Sequence, residues 1–501
     1  MRFKDVLSTG HLNADLKGRS LRGGLLTITS QGAQFLIGSV MTVVLARLLP
    51  PADFGIVAMV AAVTGLGQAF ADLGLSEATI QREDINDLQV SALFWINVAV
   101  GLALMLITAG LAPVLAWFYH EPRLKAIALV LSSLFLIGGL RVQHEALLKR
   151  QMRFRAVAIR DVASSAVGVS AAILMAWRGA GYWAIVAFPA ASQFTRMALS
   201  WLATRWIPGL PRRGAKVRSL VTFGGNVAGS YLLTNMTRNA DNVLIGWWWG
   251  ATPLGLYSRA YNPLMLPVRQ LTLPAGSVAV PVFSRLQDDP ERFARYYLRV
   301  VSLMAWISTP VFGFLFVAAG PVITLALGHQ WGGAAPVFQI LVISALGQLL
   351  FDSTIWLFIS RGQSAQLFKL LLIMSPIMIG SFAIGLPFGI KGVALSGSLV
   401  LVGILPWVLK FVFRGTALTL ERLGQALLYP VLTCLGAIAA GELALHLVAP
   451  QTIFSQLAVS GLGFGSAYAL AALTPPIRQE VMSFRQLLPM ADWHGVLRLV
   501  R

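Results

Sequence analysis

The chain has 501 residues, of which 56% are hydrophobic and 12% are charged, and its formal net charge is +19. Soluble domains carry about 25% charged residues, so this composition excludes an ordinary soluble protein. The solvent for most of the chain must be lipid. Backbone groups in lipid need internal partners, which leaves helices or a closed barrel. Apolar runs such as 98–111 lack the alternating polarity of barrel strands, so they predict an all-α polytopic membrane protein.

Runs of about 20 apolar residues predict about fourteen transmembrane helices. The first seven are expected at 24–48, 54–75, 89–117, 124–147, 157–177, 181–204 and 219–247. The other seven are expected at 257–284, 294–320, 334–359, 366–387, 391–413, 422–448 and 452–474. The connections are short, so no soluble domain is predicted.

Lys and Arg concentrate in alternate loops, for example at 149–160 and 212–218. Basic residues remain on the cytoplasmic side of a membrane, so both termini are predicted to be cytoplasmic, in a bacterial inner membrane. Topology and anionic membrane lipids account for the positive charge. Nucleic acid is therefore not expected as a partner.

A weak internal repeat relates Leu49–Gly55 to Trp249–Gly255, so the first and seventh helices begin equivalent halves. Each half has six helices, an even number, which predicts two parallel six-helix lobes plus two extra helices. The predicted organisation is an N-terminal cytoplasmic segment 1–23, an N-lobe 24–205, a cytoplasmic linker 206–218, a C-lobe 219–413, the two extra helices within 414–475, and a cytoplasmic tail 476–501.

Charged residues inside the membrane are the candidates for function, because a charge at mid-bilayer costs about 2.5–3.5 kcal/mol and requires a partner or a water-filled cavity. The predicted substrate-binding residues are Arg196, Asn235, Arg238, Asp241, Arg259, Asn262 and Arg269. The alternative for Arg238 and Asp241 is a structural ion pair on one helix. Arginine outnumbers acid at these positions and its guanidinium matches phosphate, which predicts an anionic substrate such as a pyrophosphate.

Three further residues, Asp72, Arg141 and Asp352, are candidates for gating or coupling. The alternative for Asp72 and Arg141 is an interfacial position. The six His residues show no ligand spacing, and neither a P-loop nor a Ser/His/Asp arrangement stands out. The sequence therefore predicts no metal, no cofactor and no enzymatic activity.

Several segments resemble the polysaccharide-transport, Wzx-like flippases of the MOP superfamily, which also contains the MATE drug exporters and the lipid II flippases. These segments are Ala46–Gly55, Asp72–Ser76, Ile80–Arg82, Arg238–Gly246, Leu254–Tyr261 and Gly328–Trp331. The resemblance implies a MATE-like bundle that translocates oligosaccharide repeat units linked to undecaprenyl pyrophosphate, by alternating access. The product would be O-antigen, capsule or exopolysaccharide, and the polymerase and chain-length machinery would be further partners.

Two alternatives to a flippase stay open from the sequence. A MATE-like cation or drug antiporter would need acids in the cavity, and deep acids are few. A membrane-embedded glycosyltransferase or polymerase usually carries a long outer loop, and every outer loop predicted here is short.

Overall fold

The computed structural model describes residues 16–68, 75–81, 85–210, 236–474 and 477. Within these residues the regular secondary structure is helical throughout, which confirms the predicted all-α class. This is the expected result for an apolar chain, because a helix satisfies its backbone hydrogen bonds within one segment.

The helices of the first half have the following bounds: α1 Leu16–Leu48, α2 Pro51–Gln68, α3 Leu75–Gln81, α4 Asp87–Phe118, α5 Leu124–Arg150, α6 Phe154–Trp177, α7 Trp183–Thr204 and α8 236–249. Those that follow are α9 Ala251–Arg285, α10 Pro290–Val317, α11 Ala319–Leu327, α12 Ala335–Ser360, α13 Ser364–Gly385, α14 Gly389–Phe413, α15 Leu420–Val448 and α16 Ile453–Ala472. The predicted segment 294–320 thus divides at Ala318 into α10 and the short α11.

Nine stretches of the described residues are long and apolar enough to cross a membrane, and the chain is a multi-pass membrane protein. The helices α7 and α9, with 22 and 35 residues, are also long enough but are less apolar. Helix α2 contains an apolar stretch at Pro51–Gly65 that is shorter than these spans. The fourteen-span layout stays a prediction, because α7 and α9 carry polar residues that lower their hydropathy and parts of the predicted spans 54–75 and 219–247 lie outside the described residues.

The described residues divide into two compact units at the Ser258–Arg259 junction. Helix α8 packs within the first unit, where the Trp247 ring stacks on Phe118 at the end of α4. The sequence assigned this helix to the second lobe. The predicted lobe boundaries stay predictions, since residues before 16, in 211–235 and after 477 lie outside the described part of the chain.

An aromatic core in the first unit holds α4, α5 and α7 together. Phe94 packs edge-on against His144, Trp201 and Trp206. The indole N–H of Trp201 donates to the carbonyl of Leu140 at 2.9 Å, and that carbonyl lies one residue before Arg141. The core therefore fixes the polar segment of α5 against α7, next to the candidate site.

Two glycines of the internal repeat pack against each other's segments within the first unit. A methyl group on Gly55 would overlap the carbonyl of Ala251, and a methyl group on Gly255 would overlap the carbonyl of Pro51. Position 55 corresponds to 255 in the repeat, and 51 corresponds to 251, so the contact is reciprocal. Glycine is needed at both positions because the backbones of α2 and α9 approach too closely for any side chain.

We expect Gly55→Ala and Gly255→Ala each to destabilise the protein by about 1–3 kcal/mol, because the added methyl group must push two backbones apart. Thermal unfolding of the purified protein would measure the effect. Gly403→Ala is the matched control, since a Cβ at Gly403 meets nothing within 4 Å. Equal melting temperatures for all three variants would contradict the close approach.

Candidate anion-binding site

Six charged side chains on α5, α6 and α7 form a continuous cluster in the first unit, named here the charge cluster. Arg141, Glu145 and Lys149 are spaced at i, i+4 and i+8, so they share one face of α5. The other members are Arg160 and Asp161 on α6 and Arg196 on α7. Helical periodicity aligns the three residues of α5, and the aromatic core holds α5 against α7.

Glu145 and Asp161 are the two acids of the charge cluster. Glu145 Oε2 accepts from Arg141 Nη1 at 2.6 Å, and Glu145 Oε1 lies 3.1 Å from Arg160 Nη2 and 3.6 Å from Lys149 Nζ. Asp161 Oδ1 lies 2.8 Å from Arg160 Nη2 and 3.5 Å from Arg196 Nε. Each carboxylate therefore joins cations from more than one position of the cluster.

Arg160 is the most deeply buried of the six side chains, at 1% exposure. It contacts Glu145 on α5 and Asp161 on α6, and its Nη1 lies 3.4 Å from Ser200 Oγ on α7. A buried charge is tolerated only when it is paired and hydrogen-bonded. Arg160 thus has a mainly structural place, whereas the less buried cations of the cluster are available to a ligand.

A polar cavity of about 250 Å³ opens beside the charge cluster. Arg141, Glu145 and Lys149 line it from α5, Gln193 from α7 and Ser76 from α3. The buried Arg141 Nε and Gln193 Oε1 have no hydrogen-bond partner among the described residues. Buried polar atoms are normally satisfied, so Arg141 keeps one unused donor and Gln193 one unused acceptor beside the cavity.

The charge cluster holds four cations and two carboxylates, so these six side chains carry a net charge of +2. The cations are not fully neutralised by the cluster's own acids. A cavity beside surplus positive charge favours an anion, and Arg141 Nε adds an unused donor. Phosphate groups are suited to it because guanidinium groups bind them bidentately.

Sequence reasoning found part of this cluster and missed part of it. It selected Arg196 for substrate binding and Arg141 for gating or coupling, and the structure places both in the cluster. It did not select Glu145, Lys149, Arg160 or Asp161. The i, i+4, i+8 spacing of charges on α5 was a visible signal for two of these, but only the packing of α6 reveals the other two.

Asp241 is buried and lies apart from these contacts. Its Oδ2 accepts from the Tyr257 hydroxyl at 2.8 Å, and its Oδ1 accepts from the Asn242 backbone N–H at 2.8 Å. Arg238, three residues earlier, is exposed. In the described structure these two residues therefore do not form the ion pair considered as an alternative.

The remaining predicted residues are dispersed in the structure. In the second unit Arg259 is half-buried, Asn262 and Arg269 are exposed, and Asp352 accepts from Gln348 Nε2 at 2.7 Å. Asn235 and Asp72 lie outside the described residues. Their roles in binding, gating or coupling stay predictions.

The fold and this site define a multi-pass helical membrane protein with a net-positive polar cavity inside one unit. Comparison with known sequences assigns the protein to a narrower class. Residues 44–336, more than half of the chain, match the polysaccharide biosynthesis protein family. The chain belongs to this family, which confirms the resemblance predicted from its segments.

Curated relatives have names that agree with this family. The teichuronic acid biosynthesis protein TuaB of Bacillus subtilis is 25% identical over 75% of this chain and 79% of its own length. The lipopolysaccharide biosynthesis protein WzxC of Escherichia coli is 24% identical over 70% and 74%. The succinoglycan biosynthesis transport protein ExoT of Rhizobium meliloti is 27% identical over 75% and 74%.

Solved structures with the same fold come from the MOP superfamily. The lipid II flippase MurJ in an inward closed conformation matches with a TM-score of 0.70, covering 93% of this chain and 99% of its own, at 13% identity. An inward-facing MATE multidrug transporter matches with a TM-score of 0.59, covering 76% and 94%, at 15% identity. At such identities the likeness establishes the fold, and the site must be argued from this chain's own residues.

We expect Tyr257→Phe to destabilise the protein by about 1–3 kcal/mol, because the buried carboxylate of Asp241 loses its hydroxyl donor. Thermal unfolding in detergent would measure the change. Tyr429→Phe is the control, since Tyr429 lies on an exposed face of α15. A Tyr257→Phe variant as stable as this control would show that the hydrogen bond contributes little.

Proposed function

We propose that this protein is a flippase that moves lipid-linked oligosaccharides across the bacterial inner membrane, with the pyrophosphate of an undecaprenyl carrier bound at the charge cluster. The surplus positive charge beside the polar cavity carries this proposal. Membership of the polysaccharide biosynthesis family supports a sugar substrate, and the names of the relatives refer to exported polysaccharides.

The size of the cavity suits a pyrophosphate group. Its volume of about 250 Å³ lies below the roughly 300–1,000 Å³ of pockets that enclose drug-sized ligands. It therefore accepts a headgroup, whereas an oligosaccharide would have to extend beyond it. A pyrophosphate diester carries two negative charges, one on each phosphate, and so matches the net charge of the cluster.

A MATE-like exchange of organic cations is the competing function. The fold is compatible with it, since a MATE transporter shares the fold. The charge of the cavity does not favour cation transport, because a cation entering it would meet Arg141 and Lys149 as well as Glu145. Alternating access, the mechanism implied by the family resemblance, would present the bound anion first to one side of the membrane and then to the other.

The proposed orientation has both termini in the cytoplasm. The concentration of Lys and Arg in alternate loops supports it. Exposed tryptophans also gather where α4, α6 and α8 end: Trp117 and Trp177 are 75% and 76% exposed, and Trp247 to Trp249 follow the same pattern. With a cytoplasmic N-terminus all three helix ends would lie at the outer interface, and interfacial tryptophans are compatible with that position.

We expect Arg141→Gln to reduce polysaccharide export about tenfold or more, because it removes a charge-assisted contact to phosphate. Arg196→Gln should also reduce export, because it removes one positive charge from the cluster beside the cavity. Arg141→Lys should restore export only in part, since lysine cannot bind bidentately. Export would be measured as surface polysaccharide in a strain that depends on this protein, with its membrane level checked by immunoblot.

Arg422→Gln is the matched control, because Arg422 forms an exposed ion pair with Glu291. Arg238→Gln and Arg269→Gln, the two exposed arginines predicted from sequence, complete the series. Full export by both charge-cluster variants, with loss in the Arg238 or Arg269 variants, would move the binding site away from the charge cluster.

A further inference from the structure

Glu145 occupies the position in the charge cluster where a ligand phosphate would be expected. Both of its carboxylate oxygens are used: Oε2 binds Arg141 at 2.6 Å, and Oε1 contacts Arg160 at 3.1 Å and Lys149 at 3.6 Å. Arg141 and Lys149 line the cavity together with Glu145 itself. A carboxylate with two oxygens facing several cations resembles the arrangement that a phosphate group would adopt.

Glu145 is not needed to keep the deepest cation paired. Arg160 donates to Asp161 Oδ1 through both Nε and Nη2, at 3.0 and 2.8 Å. It also contacts Ser200 at 3.4 Å. If Glu145 turned away or were neutral, Arg160 would keep these partners, whereas Arg141 and Lys149 would face the cavity with free donors.

We propose that Glu145 is an internal counter-anion that takes the place of the substrate phosphate when the site is empty. Substrate loading is then an exchange in which a pyrophosphate displaces the carboxylate from Arg141 and Lys149, and release is the reverse exchange. This inference rests on the proposed function and identifies a residue that sets the specificity and release of the substrate.

The membrane environment gives such a residue two uses. Phospholipids with one negative charge are abundant around any membrane protein, and a cavity with free guanidinium groups would retain them. Glu145 lowers the affinity for every anion, so only a ligand that supplies two phosphates gains enough to bind. A site that binds its substrate too tightly also releases it slowly. When the Glu145 carboxylate binds Arg141 and Lys149 again, it displaces the substrate and so speeds release.

The competing role for Glu145 is purely structural, as a carboxylate that holds the arginines together. The two roles predict opposite effects of Glu145→Gln. Loss of a structural carboxylate weakens ligand binding. Loss of a competing anion strengthens binding, because the ligand no longer has to displace a charge a few ångströms away.

The test uses the full chain in phosphatidylcholine nanodiscs and two synthetic probes, a citronellyl pyrophosphoryl glucose and the corresponding citronellyl phosphoryl glucose. The probes differ by one phosphate. We expect Glu145→Gln to lower the dissociation constants of both probes about tenfold, measured by calorimetry. In proteoliposomes KM for the pyrophosphate probe should fall, and kcat should fall with it as release becomes slow.

Added phosphatidylglycerol, which carries one negative charge, supplies a second measurement. It should inhibit transport by the Glu145→Gln variant at a concentration about tenfold lower than it inhibits the wild type. Glu291→Gln is the matched control, since it removes one carboxylate from the ion pair with Arg422 in the second unit and should change none of these values.

A second pair of variants guards against misfolding. Lys149 is nearly half exposed, so Lys149→Gln should fold normally. Glu145→Gln made in that background leaves the cluster at its original net charge of +2, with three cations and one carboxylate. The same tightening is expected on passing from K149Q to the double variant.

The possible results separate this inference from the proposed function. A wild-type protein that binds neither probe overturns the pyrophosphate site itself. If the wild type binds the pyrophosphate probe but Glu145→Gln leaves its dissociation constant unchanged or raises it in both backgrounds, only the counter-anion role is overturned. Tighter binding with lower kcat supports it.

Discussion

Charges inside a membrane must find partners, and in this protein Arg160 meets that requirement for three helices at once. Its guanidinium is almost fully buried and contacts Glu145 on α5, Asp161 on α6 and Ser200 on α7. The low dielectric that makes an unpaired charge costly also makes these contacts strong. The contact with Ser200 joins α6 to α7, which bounds the cavity together with α5.

A binding site needs charges that are held in place but not fully neutralised. The charge cluster meets both conditions because its cations differ in burial. Arg160 is enclosed, Arg141 and Arg196 are partly buried, and Lys149 is nearly half exposed. The deepest cation organises the helices, and Arg141 and Lys149 line the cavity. Two carboxylates among four cations leave a positive surplus, which suits a flippase whose substrate is bound through phosphate.

The internal repeat has a physical counterpart in the reciprocal contact of Gly55 and Gly255. Small residues let helix backbones approach closely, and in lipid such packing replaces the hydrophobic drive between helices. Because corresponding positions of the two repeats meet, a duplicated segment supplies both halves of one contact. The repeat therefore contributes to packing within the first unit and is more than a trace of sequence similarity.

Sequence alone determined the features that depend on local composition. Low charge and long apolar runs required helices in lipid, and the segments around Arg47, Asp72 and Arg238 identified the family. The functional role of single residues was harder to predict from the sequence. Arg196 and Arg141 were recognised as unusual because a charge in an apolar helix is visible in the sequence, but Arg238 and Arg269 satisfy the same criterion and are exposed in the structure.

Tertiary structure decided which of these charges meet. Arg160 belongs to the basic stretch 149–160, whose Lys and Arg residues the sequence assigns to topology, and Asp161 follows it directly. Their role appears when α6 packs against α5 and α7 and brings both beside Glu145 and Arg196. Periodicity fixes which residues share a helix face, whereas contacts between helices depend on the rotation and depth of each helix, which local sequence does not encode.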